Sequence, residues 1–137
     1  MVEKGSKIEF IYFDLGNVII PIKNQPQVFQ EFAKDSDFDA EHIGQIFDRN
    51  RGGEFWDAVC RFDRGQMYPV QFYEEVRRIF KLHSSFERFV EIWQMMLEVD
   101  VRFIDLVKKL RACGIRTGII SDLCLIHHRK EQELFSQ

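Results

Sequence analysis

Two residues in this sequence stand where chemistry is easily positioned. Asp14 directly follows the apolar run from Ile8 to Phe13, and Ser121 follows a second run, Ile115 to Ile120. A carboxylate at the end of a buried strand has a rigid backbone behind it. The loop that follows can turn N–H groups toward an anion. Such an Asp can attack phosphorus and form an aspartyl-phosphate that water later hydrolyses. A serine hydroxyl at a neighbouring strand end can hydrogen-bond a phosphoryl oxygen. A divalent cation normally neutralises the charge gathered there. The same residues also have a plainer reading. An Asp after a strand is often a turn former, and Ser-Asp after a strand is a common helix N-cap pair.

The elements that must position these groups are readable from periodicity. Residues 7–13 are rich in β-branched and aromatic side chains and nearly continuous in apolar character. That pattern suits a strand buried on both faces, as in a parallel sheet. From about Pro26 to Leu97 the apolar positions recur at helical spacing. Pro26 and Pro69 suit first turns of helices. Asp39 and Ser84 or Ser85 are candidate N-caps. Gly52-Gly53 and Arg64-Gly65 are breaks. The aromatic stripes along these helices, Phe55 and Trp56 among them, read as core. A further helix is expected from Asp100 or Val101 to about Cys113, apolar along Ile104, Leu106, Val107 and Leu110. Gly114 is its left-handed C-cap. Ile115 to Ile120 forms a second strand, and a polar helix follows around Leu125, Ile126 and Leu134.

The order strand, helical insert, helix, strand, helix is one βαβ unit with an insert after its first strand. The crossover rule makes the two strands parallel. Asp14 and Ser121 then share the sheet edge at which open α/β folds bind ligands. The expected fold class is α/β, a partial Rossmann-like core of two parallel strands with an inserted helical cap. The core is assigned residues 1–22 and 99–137, and the cap residues 23–98.

Composition narrows the function classes. The net charge is −3 over 137 residues with acidic and basic side chains interspersed, so no basic stripe marks a nucleic-acid or anionic-lipid surface. The apolar run at Ile8–Phe13 is too short for a membrane span or an export signal. Three cysteines without a Cys-x-x-Cys spacing suit thiols in a reducing cytosol. A cytoplasmic protein without nucleic-acid or membrane partners is expected.

The segment Ile11-Tyr12-Phe13-Asp14-Leu15-Gly16-Asn17-Val18-Ile19-Ile20 resembles the first motif of the haloacid dehalogenase-like hydrolase superfamily. Gly118-Ile119-Ile120-Ser121-Asp122 resembles the second. The helical stretch between them resembles the family's small cap, with Phe62-Asp63-Arg64-Gly65-Gln66-Met67 and Phe72-Tyr73 similar to a recurrent cap segment. The Asp-Leu-Gly-Asn form is similar to a subgroup that includes an α-D-glucose-1-phosphate phosphatase. The resemblance spans about Ile8 to Ser121. It implies a Mg²⁺-dependent phosphatase acting on small phosphate esters such as sugar phosphates. Asp14 would be the nucleophile and, with the Gly16 carbonyl, a metal ligand. Leu15, Gly16 and Asn17 would form the loop under the phosphate, and Ser121 would hold the phosphoryl group. Asp122, also counted with the phosphate-binding residues, stands where the family commonly has Asn.

Two departures from the family pattern stand out. Gly16 occupies the place of a second Asp that protonates the leaving group in most phosphatases of the family, a contribution of roughly 10²–10⁴-fold. The family's Lys motif and acidic pair lie beyond the second motif, and this chain has 16 residues after Ser121. Lys130 with Glu131 and Glu133 reads as a solvated helix face. The expectation is a chain truncated after the second motif, with an open sheet edge prone to self-association. Two alternatives follow: an inactive fragment serving as a helical binding or oligomerising module, and a haloacid dehalogenase using the same Asp. His127-His128 is read as no metal pair, since adjacent helical residues point about 100° apart. Cys124 is a reactive thiol only if exposed. Phe55, Trp56 and Arg61 could line a substrate entrance.

Overall fold

The structure, a computed structural model, describes residues 8–16, 18, 24–98, 100–122 and 124–135, with only the backbone given for 131 and 133–135. Lys7, Asn17, Ile19 and Ile20 lie outside the described residues. The chain divides into two units: Met1–Pro21 with Glu98–Ser121, and Ile22–Leu97 with Asp122–Gln137.

In the first unit, β1 (Phe10–Phe13) and β2 (Arg116–Ile119) form a two-stranded parallel sheet. The helix between them in this unit, Val101–Ala112, packs on β2. Its N-cap is Asp100, whose side chain accepts from the Arg102 amide. Gly114 follows its end with φ 78°, the left-handed residue that glycine adopts without strain. Parallel pairing runs in register from Phe10 opposite Arg116 to Phe13 opposite Ile119.

The reading of a strand buried on both faces does not hold. Side chains alternate across a strand, so Phe10, Tyr12, Arg116, Gly118 and Ile120 share one face. On it Tyr12 is 61 % exposed and Ile120 63 %. The Phe10 and Tyr12 rings lie 4.5 Å apart and lean over Gly118, where a Cβ would come within 3.1 Å of either ring. The Arg116 guanidinium lies 5.3 Å from the Phe10 ring centre. On the other face Phe13 meets Phe103 edge-on at 4.8 Å. A two-stranded sheet with one helix cannot bury both faces, and no residue of that helix is fully buried.

The second unit is helical: α1 (Gln25–Lys34), α2 (Ala40–Phe47), a 3₁₀ turn at Arg49–Arg51, α3 (Glu54–Asp63), α4 (Pro69–Phe80) and α5 (Phe86–Gln94). Completing the numbering, Val101–Ala112 is α6 and Leu125–Phe135 is α7. The starts are chemically specified. Asp39 accepts from the His42 amide at 2.8 Å and Ser85 from the Arg88 amide, each satisfying an otherwise orphaned N–H. Pro26 and Pro69 occupy first turns, where the missing N–H costs nothing. Gly52 and Gly53 both have positive φ, which stops the 3₁₀ turn and admits α3.

The interior is aromatic. Phe32, Phe55, Phe72, Phe80 and Phe89 are all fully buried, with Val28, Ile43, Val76 and Ile92 among them. The ends of α1 and α4 are joined by an antiparallel bridge between Ser36 and Leu82. Arg88 of α5 binds Glu31 of α1 at 2.6 Å.

The segment after Ser121, assigned above to the α/β core, groups with the helices instead. α7 packs on α5: His127 stacks on Trp93 with ring centres 5.9 Å apart, and Gln94 donates to the Ile126 carbonyl at 3.1 Å. A Trp–His stack leaves no mark on hydrophobic periodicity, so the sequence pattern did not reveal this neighbour.

Candidate active site

The first unit brings Asp14 and Ser121 to one end of the sheet. The last register pair is Phe13 with Ile119, and the Ile120 amide donates to the Phe13 carbonyl at 2.9 Å. Asp14 is the next residue on one strand, and Ser121 follows Ile120 on the other. The strands are parallel, so both residues leave from the same C-terminal edge.

Beyond β1 the chain turns at once. The Leu15 amide donates to Asp14 Oδ1 at 2.7 Å, and the Val18 amide donates to the Leu15 carbonyl at 3.2 Å. This turn holds the Asp14 carboxylate against its own backbone. The Leu15 side chain is buried, while Asp14 and Gly16 are exposed. Gly16 is open: nothing lies within 4 Å of the point a Cβ would occupy. Its carbonyl and the Asp14 carboxylate are hard oxygen donors of the kind Mg²⁺ takes. Among the described residues no three His, Cys, Asp or Glu side chains gather as a metal-binding group. Asn17 of the expected phosphate loop lies outside the described residues.

Asp122, grouped above with the phosphate-binding residues, falls in the helical unit. There its carboxylate acts on Asp63 at the end of α3. Burial, and secondly Asp122, hold the Asp63 carboxyl above its ordinary range, while Arg49 pulls it down. Sequence reading missed this pair, because nothing in the spacing of 63 and 122 marks them as neighbours.

Other candidates settle into structural places. Phe55 is core, Trp56 lies under the Arg49 guanidinium, and Arg61 pairs with Glu75 at 3.2 Å. His42 stacks on Phe38, and His83 bonds Asp37. Cys60 and Cys113 are exposed but Cys124 is buried. Burial pushes the Cys124 thiol up to about 11, outweighing the His127 and Ile126 amides that favour the thiolate. This removes the basis for a reactive Cys124. His127 is enclosed and His128 exposed, as adjacent helical residues should be.

No protein-family model and no curated protein matches the chain. Solved structures do. A HAD family enzyme from Bacteroides thetaiotaomicron superposes with a TM-score of 0.69 at 19 % identity, covering 91 % of this chain and 58 % of its own. The wild-type form of that enzyme complexed with magnesium and inorganic phosphate gives 0.65 at 20 % identity, covering 90 % of this chain and 57 % of its own. A predicted HAD-like family hydrolase from Porphyromonas gingivalis gives 0.63 at 19 %, covering 88 % and 54 %. The chain thus spans a little over half the length of the structures it matches. The shared architecture is the fold: α/β of the haloacid dehalogenase type, with a parallel strand pair and a helical cap.

Proposed function

We propose, from this shared fold, that the chain carries the nucleophile half of a Mg²⁺-dependent phosphohydrolase acting on small phosphate esters of the sugar-phosphate kind. The supporting observation is the emergence of Asp14 and Ser121 side by side from the ends of two parallel strands. An Asp14 carboxylate oxygen attacks phosphorus, the ester P–O bond breaks, and the alcohol departs. Water then cleaves the aspartyl-phosphate and regenerates the carboxylate. The Ser121 hydroxyl donates to a phosphoryl oxygen, and the loop from Leu15 through Asn17 is assigned a place under the same anion. Asp14 and the Gly16 carbonyl would hold Mg²⁺, which supplies neutralisation of phosphoryl charge. The leaving alcohol takes its proton from a group other than position 16, since Gly16 has none to give. Lys130 stands in α7 and is not assigned the family's lysine role. Asp122 is assigned no contact with the phosphate.

The test is incubation of the full chain with an aryl phosphate, with and without Mg²⁺, followed by acid quench and mass spectrometry. A phosphoryl adduct on Asp14 that needs Mg²⁺ and is absent from Asp14→Asn is the expected result. Halide release from a haloacid, with no adduct from the phosphate, would move the assignment to dehalogenase chemistry. A second reading, a self-associating module without turnover, rests on the exposed apolar sheet face at Ile8, Phe10, Tyr12 and Ile120. Folded protein that sediments as a dimer and forms no adduct would establish that reading.

A further inference from the structure

The end of the α/β unit opposite Asp14 holds a groove of about 500 Å³, lined by Phe10, Arg111, Gly114, Ile115, Arg116 and Thr117. That volume lies in the range of small-molecule sites. Its charged groups are two guanidiniums, and no lining residue is acidic. Among the described residues neither Arg111 nor Arg116 forms an ion pair. By contrast Arg51, Arg61, Arg77, Arg78, Arg88 and Arg102 each meet a carboxylate. The usual role of an arginine in the last turn of a helix is to cap terminal carbonyls. Here the chain caps them itself. The amides of Cys113, Gly114 and Ile115 donate to the carbonyls of Lys109, Arg111 and Leu110 in turn. Capping therefore does not account for Arg111.

Two features organise the groove. The Arg116 guanidinium lies 5.3 Å from the Phe10 ring centre. That contact steadies a long side chain and lowers the entropy it loses on binding. The amides of Arg116 and Ile120 bond back to Glu9 and Phe13. Strand alternation then turns the Thr117 N–H to the open edge of β2, a third donor in the same lining. Phe10 and its register partner Arg116 lie roughly 13 Å from Asp14 along the strands, at about 3.3 Å per residue. The groove is thus separate from the end that carries Asp14. We propose that it binds phosphate, free or as a small-molecule ester, between Arg111 and Arg116. Guanidiniums match phosphate oxygens in bidentate pairs. Two of them without a counter-charge suit a dianion better than a single carboxylate, and the groove has room for the organic part of an ester.

Amide NMR of the isotope-labelled full chain, without Mg²⁺ and at constant ionic strength, tests this. The probes are inorganic phosphate and glycerol phosphate, with chloride as the reference. Gly114 and Thr117 report the groove, and Leu15 and Gly16 report the Asp14 end. Saturating shifts at Gly114 and Thr117 are expected, with the same Kd in the wild type and in Asp14→Asn. A failure of the nucleophile assignment therefore leaves this result standing. Arg111→Gln and Arg116→Gln should each weaken binding about tenfold or more. Both side chains are exposed, so the rest of the spectrum should stay unchanged. Arg116→Lys keeps the charge but loses the planar fork, and should weaken binding several-fold. Tighter binding of glycerol phosphate assigns the groove to an ester, and equal binding assigns it to free phosphate. Shifts confined to Leu15 and Gly16, or produced equally by chloride, would overturn the proposal. So would glutamine or lysine variants that bind as the wild type does, since the groove would then be only a diffuse cationic surface.

Discussion

Phe80→Ala should remove about 3–5 kcal/mol of stability from the helical unit, read as a fall in the urea midpoint at unchanged slope. Phe80 is wholly buried at the end of α4. Its ring stacks on Phe55 at 5.1 Å, meets Phe32 edge-on at 5.6 Å, and lies 6.3 Å from Phe47. These partners come from α3, α1 and α2, so no single helix can shift to fill the void. Aromatic pairs add about 0.5–1.5 kcal/mol each beyond the area they bury, and truncation loses all three. Against a usual total of about 5–15 kcal/mol, that is a large share of the unit's stability. Val70→Ala on the exposed side of the same helix serves as control and should change stability by about 0.5 kcal/mol or less. Equal losses in the two variants would mean that the aromatic interior is not what holds the helices together.

The second large effect is a loss of stability on mild acidification. Burial pushes the His127 imidazole from 6.5 down to about 4. Hydrogen bonding to the Trp93 backbone acts the other way and only partly offsets it. The folded chain therefore keeps His127 neutral where the unfolded chain already protonates it. The stabilisation is complete above pH 6.5, falls as pH drops from there toward 4, and levels off below. At about 1.4 kcal/mol per pKa unit, the loss is on the order of 2–3 kcal/mol across that window. Asp63 works in the opposite sense. Its folded carboxyl sits above its ordinary value, so acidification through that range relieves a penalty and partly masks the loss at the acid end. Urea midpoints from pH 7.5 to 4, compared with His127→Gln, separate the two. Parallel curves for both proteins would rule the imidazole out as the source.

Much of the fold is legible in residue order because local chemistry and tertiary structure agree. Asp39, Ser85 and Asp100 cap the helices that their side chains suit, and Gly114 ends α6 as an unstrained left-handed residue. The site placement is legible for the same reason, since each apolar run ends at a polar residue and the connection forces parallel strands. Two things were not legible. Apolar content in β1 specifies a hydrophobic strand but not what covers it, and here Tyr12 and Ile120 stay exposed. Among the described contacts that dock α7 are one stacked ring pair and one side-chain hydrogen bond, Trp93 with His127 and Gln94 with the Ile126 carbonyl. Neither has a period to detect.

The pairing of Phe10 with Arg116 carries a kinetic consequence. These residues stand roughly a hundred positions apart in the chain, so joining them costs loop-closure entropy before any strand hydrogen bond compensates. The helix contacts within α1–α5 close far shorter loops and need no such search. The bundle should therefore form first and the strand pair last. Pulsed hydrogen exchange would show amides of α4 and α5 protected before those of Ile11 to Phe13. The carboxylate of Asp14 would then be among the last groups in the chain to find its place, and a stalled fold would lose the reactive end while keeping nearly all of its helix.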